Sequence, residues 1–84
     1  MHYVYILQST TKKKYYVGHT QNVQVRLDRH NKGYVRSTKG GIPWKVVYTE
    51  NFETKAQASR REMQIKSYKG GNAFHTLLSN NTPT

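Results

Sequence analysis

Two tyrosine motifs stand near the N-terminus, Tyr3-Val4-Tyr5 and Tyr15-Tyr16-Val17-Gly18, each inside a run with β-strand character. Downstream come Arg26 and His30, spaced i, i+4 so that they project from neighbouring positions of one helix face, and then a single well-placed acid, Glu62. A phenol is a general base where nearby cations favour its ionised form. A guanidinium forks onto phosphate oxygens and stabilises charge growing in a transition state. One carboxylate suffices for a Mg²⁺ ion that keeps most of its waters. Each residue also has a plainer reading: strand tyrosines as packing, Arg26 as a solvated side chain, His30 as a helix terminator, and Glu62 as an ion-pair partner of Arg60, Arg61 or Lys66.

The acid inventory narrows the chemistry. Asp28, Glu50, Glu53 and Glu62 are the only carboxylates in the 84 residues. Two-metal phosphodiesterases gather several carboxylates on paired ions, and acid/base carboxylate pairs need two that converge. Neither a G-x-S-x-G elbow nor a P-loop is present. Cysteine is absent, which removes disulfides and thiolate metal sites, and no histidine pair has zinc spacing.

Fourteen Lys and Arg against four acids give a net charge of +10, which points to phosphate-rich partners or an anionic membrane face. The longest apolar run, Tyr3 to Leu7, is far short of the roughly 20 residues that span a bilayer. No export leader is evident, so a cytoplasmic protein with no membrane association is expected. Lys32, Arg36, Lys39 and Lys45 have no compensating acids among them and form the expected nucleic-acid-binding surface, with Lys12 to Lys14 a second basic patch.

The elements that must position these residues follow from periodicity and caps. His2 to Leu7 and Tyr15 to Gly18 read as a hairpin around a polar loop. Centred near Thr10-Thr11, it would set Tyr5 across from Tyr16, although the loop length leaves the register open. Val23, Leu27 and His30 mark a helix, with Asn22 as N-cap and Gly33 as stop. Lys32 to Pro43 reads as a basic, Gly-rich loop. Trp44 to Phe52 is a third strand, with Trp44, Val46 and Tyr48 on one side and Val47 on the other. Thr54 and Gln57 make a capping box that opens a helix to about Tyr68, on which Glu62 lies one turn from both Ala58 and Ile65. Gly70-Gly71 breaks it, and Ala73 to Leu78 forms one short further helix. Residues 1–79 are expected to be one domain of marginal stability and 80–84 a frayed, disordered tail.

Taken together, "YVYIL", "YYVGHT", Arg26, His30 and "RREMQIK" around Glu62 resemble the GIY-YIG nuclease superfamily. The resemblance is to its small single-domain bacterial members, similar to the N-terminal nuclease domain of the excision-repair incision enzyme, and covers Tyr3 to Lys66. It implies an α+β fold, a three-stranded antiparallel sheet flanked by helices. It also implies an endonuclease that hydrolyses DNA phosphodiesters with one divalent ion, Mg²⁺ or Mn²⁺. Carried over by position, Tyr5 belongs to the first motif, Tyr16 and Gly18 to the second, Arg26 is the family arginine, His30 the His-or-Tyr one turn later, and Glu62 the metal ligand. His19 falls where several relatives have lysine. The first-motif glycine is Tyr3 here, and isoleucine is valine in both motifs.

No separate recognition domain is evident, so structure-selective or weakly selective cutting is expected, on branched or single-stranded DNA, with RNA not excluded and a homodimer conceivable. The contrasting reading is a non-catalytic nucleic-acid-binding module, in which Tyr34, Trp44 and Tyr48 stack exposed bases.

Overall fold

The computed structural model describes residues 1–80. Three strands, β1 (His2–Ser9), β2 (Tyr15–Thr20) and β3 (Trp44–Phe52), form one antiparallel sheet of order β2-β1-β3. Helix α1 (Val23–Asn31) follows the hairpin, and α2 (Lys55–Ser67) and α3 (Asn72–Asn80) follow β3. The expected α+β architecture is therefore present. Helix α3 runs through Asn80, and the rest of the segment expected to fray, residues 81–84, lies outside the described residues.

Strand alternation sorts the central strand between two cores. Val4 and Ile6 pack with Val17, Tyr48, Ala58, Ile65 and Phe74 on the face covered by α2 and α3. Tyr5 and Leu7 pack with Trp44, Tyr16, Val23 and Leu27 on the face covered by α1. β1, buried on both faces, is apolar or aromatic from Tyr3 to Leu7 for that reason.

Two details of the sheet differ from expectation. Tyr5 stands opposite Gly18, and Tyr16 opposite Leu7, because the turn centres between Thr11 and Lys12 rather than between Thr10 and Thr11. Ser9 sets this longer turn: its hydroxyl accepts from the N–H groups of Thr11 (3.2 Å) and Lys12 (3.0 Å). The slip of two residues preserves the face of every side chain. In β3, a bulge pairs Ile6 with Tyr48 and Leu7 with Val46, leaving Val47 as the extra residue. Tyr48 thereby turns to the α2 face, away from Trp44 and Val46.

Local capping fixes the helices. The Asn22 side chain accepts from Val25 N–H at 3.1 Å. At the other end of α1, Gly33 adopts φ 80, with its N–H donating to His30 O (3.1 Å) and Tyr34 N–H to Arg29 O (3.1 Å). Thr54 and Gln57 exchange both bonds of the capping box. The segment after α1 is more ordered than a loop. Arg36–Gly41 forms a 3₁₀ helix around buried Thr38, whose N–H and hydroxyl both bond the Val35 carbonyl. Removing the cap of the helix that carries Arg26 gives a direct check: Asn22→Ala is expected to cost about 1 kcal/mol in urea denaturation, and an unchanged midpoint would contradict the cap.

Candidate active site

Tyr5 is the centre of the cluster. Its ring crosses the strand pair above Gly18, where an added Cβ would lie 2.7 Å from the phenol oxygen and 3.1 Å from the Tyr16 ring. The glycine of the second motif is thus a seat for the tyrosine of the first. Tyr5 and Tyr16 rings are 6.2 Å apart between centroids, and the Tyr16 and His30 rings 4.7 Å. The Tyr5 hydroxyl meets His30 Nε2 at 3.0 Å, and His30 Nδ1 meets Thr38 Oγ1 at 2.8 Å.

Counting protons orients this chain. Thr38 donates its single hydroxyl proton to Val35 O, so it accepts from His30 Nδ1–H. That leaves His30 Nε2 bare to accept the Tyr5 proton, the one arrangement that supplies each donor of the Tyr5–His30–Thr38 chain with an acceptor. His30 is 0% exposed, and burial, with the charges of Arg26 and Arg29, pushes its pKa below the ordinary histidine value. It is therefore a neutral imidazole. Thr38 was not evident from the sequence, since no motif marks it; burial of a polar residue inside a basic, Gly-rich stretch is visible only in three dimensions.

Arg26, one turn before His30 on α1, is coupled to both phenols. Tyr5 and, more weakly, Tyr16 raise its pKa against the effect of burial, so the charge is secure. Its Nε is buried and has no hydrogen-bond partner among the described residues. In return Arg26 acts to lower the pKa of Tyr5, but burial outweighs it and the Tyr5 pKa is raised. At Tyr5 desolvation is the larger effect and opposes the ionisation that the guanidinium favours.

Glu62 approaches from the opposite face of the sheet edge. Alternation along β2 turns His19 towards α2, where its Nδ1 lies 2.5 Å from Glu62 Oε1; Lys66 Nζ lies 2.5 Å from Oε2. Burial acts to raise the Glu62 pKa, yet Lys66 and His19 together outweigh it and hold the carboxyl below its usual range. The side chain is 15% exposed, so it is neither turned to solvent nor sealed. Its charge is felt at the Tyr5 phenol. His19 therefore serves the acid, whereas His30 serves the phenol.

Glu50 and Asp28 are committed elsewhere. Arg61 forks onto Glu50 at 3.0 and 3.1 Å, and Glu50 also takes the Tyr48 hydroxyl. Burial, followed by Glu50, pushes the Tyr48 pKa up to about 12. Asp28 accepts from Gln24 on the exposed side of α1. No group of three His, Asp or Glu side chains gathers among the described residues. Lys32, Arg36, Lys39 and Lys45 are all exposed, and Arg36 and Lys39 flank the buried Thr38. The stacking set of the contrasting reading is not available: Trp44 is 5% and Tyr48 9% exposed, each fixed by a hydrogen bond, and of the three only Tyr34 is open.

The chain matches the GIY-YIG catalytic domain over residues 1–73. It is 42% identical over 67 residues to a UPF0213 protein of Natronomonas pharaonis, covering 79% of this chain and 78% of that one. A UPF0213 protein of Staphylococcus aureus is 38% identical over 68 residues, 80% of this chain and 82% of the relative. The solution structure of a UPF0213 protein from Bacillus halodurans is 33% identical, with a TM-score of 0.47 over 89% of this chain and 92% of that one.

Two measurements check the buried cluster. Nitrogen-15 spectra are expected to show His30 neutral and protonated on Nδ1 at and below pH 6.5, the ordinary histidine value; an imidazolium or the other tautomer there would contradict the assignment. Because the folded pKa is depressed, the unfolded chain binds the proton first, so this contribution to stability is present above about pH 6.5 and is lost as pH falls below it. Gly18→Ala is expected to cost about 1–3 kcal/mol by overpacking and to perturb the His30 resonances, which an accommodating site would leave in place.

Proposed function

The chain belongs to the GIY-YIG family, and from that premise we propose that it is a metal-dependent endonuclease hydrolysing DNA phosphodiesters. The observation that carries this reading is the surroundings of the Tyr5 phenol, on which Tyr16, Arg26 and Glu62 all act although they come from three different elements.

The donor set fits a Mg²⁺ or Mn²⁺ ion that keeps most of its waters. Glu62 is anionic and partly accessible, and the Lys66 ammonium that covers one of its oxygens is on a 52% exposed side chain free to swing away. Glu62 would hold the ion, which when bound polarises the scissile phosphate and eases departure of the 3′ oxygen.

The remaining roles belong to the chain itself. Tyr16 is half-buried, whereas Tyr5 is 1% exposed, so Tyr16 is the phenol able to meet a water. As phenolate it takes one proton from that water; the oxygen attacks phosphorus, the bond to the 3′ oxygen breaks, and the leaving oxygen draws its proton from solvent. Arg26 neutralises charge on the phosphoryl oxygens. Tyr5, His30 and Thr38 are positioning residues: the phenol gives its proton to His30 and turns its lone pairs to Arg26. Lys32, Arg36, Lys39 and Lys45 hold the DNA backbone, which makes binding steeply salt-dependent.

One feature favours the non-catalytic alternative, namely that both Glu62 oxygens already have partners. A single assay separates the two. The protein is expected to nick supercoiled plasmid with Mg²⁺ or Mn²⁺ but not with EDTA. Glu62→Ala is expected to abolish nicking while leaving DNA affinity in EDTA within about twofold, since one acid fewer on a basic surface does not weaken phosphate contacts. Nicking by Glu62→Ala at the parent rate would overturn the metal assignment.

Tyr16→Phe is expected to slow nicking by about 10²–10⁴-fold, the contribution of a general base. If Tyr5→Phe alone has that effect, the two phenols have exchanged roles.

A further inference from the structure

Behind the candidate site, along the outer edge of β2, a cleft of about 380 Å³ opens between the strand and the α2–α3 turn. Tyr15 and Phe74 supply aromatic walls, Ile65 an apolar floor, and Lys66 and Lys69 a basic rim. Tyr15 is 38% exposed, and its ring and that of Phe74 meet T-shaped with centroids 5.0 Å apart, which leaves an exposed aromatic side chain at the mouth of the cleft. Two of the lining residues also belong to the site: Tyr16 packs on His30, and Lys66 pairs with Glu62.

A second observation concerns the rim. Lys69 adopts φ 52, a left-handed conformation that lysine rarely takes, and it is followed by Gly70 at φ 72 and then by Gly71. A glycine would occupy position 69 without strain. Strain held at a side chain that lines a cleft points to a use for that side chain.

An exposed aromatic side chain beside cations suits a nucleobase joined to phosphate, because every base has a π-face and every nucleotide an anion. β2 is an edge strand, so its outward N–H and C=O groups have no strand partner among the described residues and can meet a base edge. A paired base cannot enter without leaving its stack. We propose that this cleft is a nucleobase subsite that takes an unpaired base of the DNA strand beside the scissile phosphate, stacked on Tyr15 with its phosphates against Lys66 and Lys69. The inference deepens the nuclease reading and rests on it. It also assigns the substrate class, DNA with unpaired nucleotides at the cut.

Anisotropy titration of the intact protein in EDTA, with a labelled single-stranded thymidine 12-mer and a duplex of equal length, tests the subsite apart from cleavage. The parent is expected to prefer the single strand. Tyr15→Ala and Lys69→Asn should each weaken single-strand binding, Tyr15→Ala by about tenfold as for loss of one stacked base, with duplex affinity within twofold. Tyr15→Phe, which keeps the ring, should bind as the parent does and controls for folding of the edge strand. Equal losses on single strand and duplex, or no loss in Tyr15→Ala, would overturn the subsite. Loss of single-strand preference in a protein that cuts nothing with metal would leave the subsite standing and remove the nuclease reading. Parent-like strand preference in Tyr15→Ala, in a protein that does cut, would do the reverse.

Discussion

A neutral imidazole, fully buried between a phenol and a threonine hydroxyl, is the constraint on which the rest of this structure depends. Three separate elements must meet to bury it: β1 brings Tyr5, α1 brings His30, and the 3₁₀ helix brings Thr38. Each is itself held in place. Trp44 donates its indole N–H to Thr38 O at 2.7 Å, and Asn31 and the Trp44 backbone exchange bonds at 3.0 and 2.6 Å, tying the end of α1 to β3. Leaving any buried member of such a chain without its partner costs more than the bond itself contributes, so the network also specifies one arrangement.

The electrostatics follow from that burial. A chain of net charge +10 has no shortage of cations to ionise its phenols. At Tyr5, however, desolvation exceeds the pull of Arg26, and the phenol keeps its proton for His30. At Glu62 the balance falls the other way: less complete burial leaves Lys66 and His19 together the larger effect, and the carboxylate stays charged. Protonated phenol, neutral imidazole and charged guanidinium on one face of the sheet edge, and a charged carboxylate on the other, are each set by the ratio of burial to neighbouring charge. The division of labour proposed for the tyrosines has the same origin, since the one sealed against solvent is unsuited to meeting a water.

How far the sequence was readable depended on whether the determining contact is local. The caps at Asn22 and Thr54 and the stop at Gly33 act within a few residues, and each stands where the pattern placed it. The limits of β3 and the apolar stripe of Ala58 and Ile65 are equally local. The hairpin register depended on how Ser9 bonds the turn, and the side taken by Tyr48 on a bulge that alternation alone cannot announce. Trp44 read as a stacking surface because an aromatic in a basic stretch carries no sign of being enclosed. Thr38 was out of reach for a similar reason: its partner is eight residues away through a turn that the Gly-rich composition did not suggest. His19 was singled out by position, but its pairing with Glu62, 43 residues distant, needed the sheet and α2 to be in place.

The most direct test of the central claim is a double-mutant cycle on single-turnover plasmid cleavage with Tyr5→Phe and Thr38→Val. If the buried chain positions Arg26 as one unit, either substitution breaks it, and the double variant is expected to be no slower than the slower single variant. Losses that multiply, or a parent protein with no metal-dependent cleavage to measure, would contradict the account.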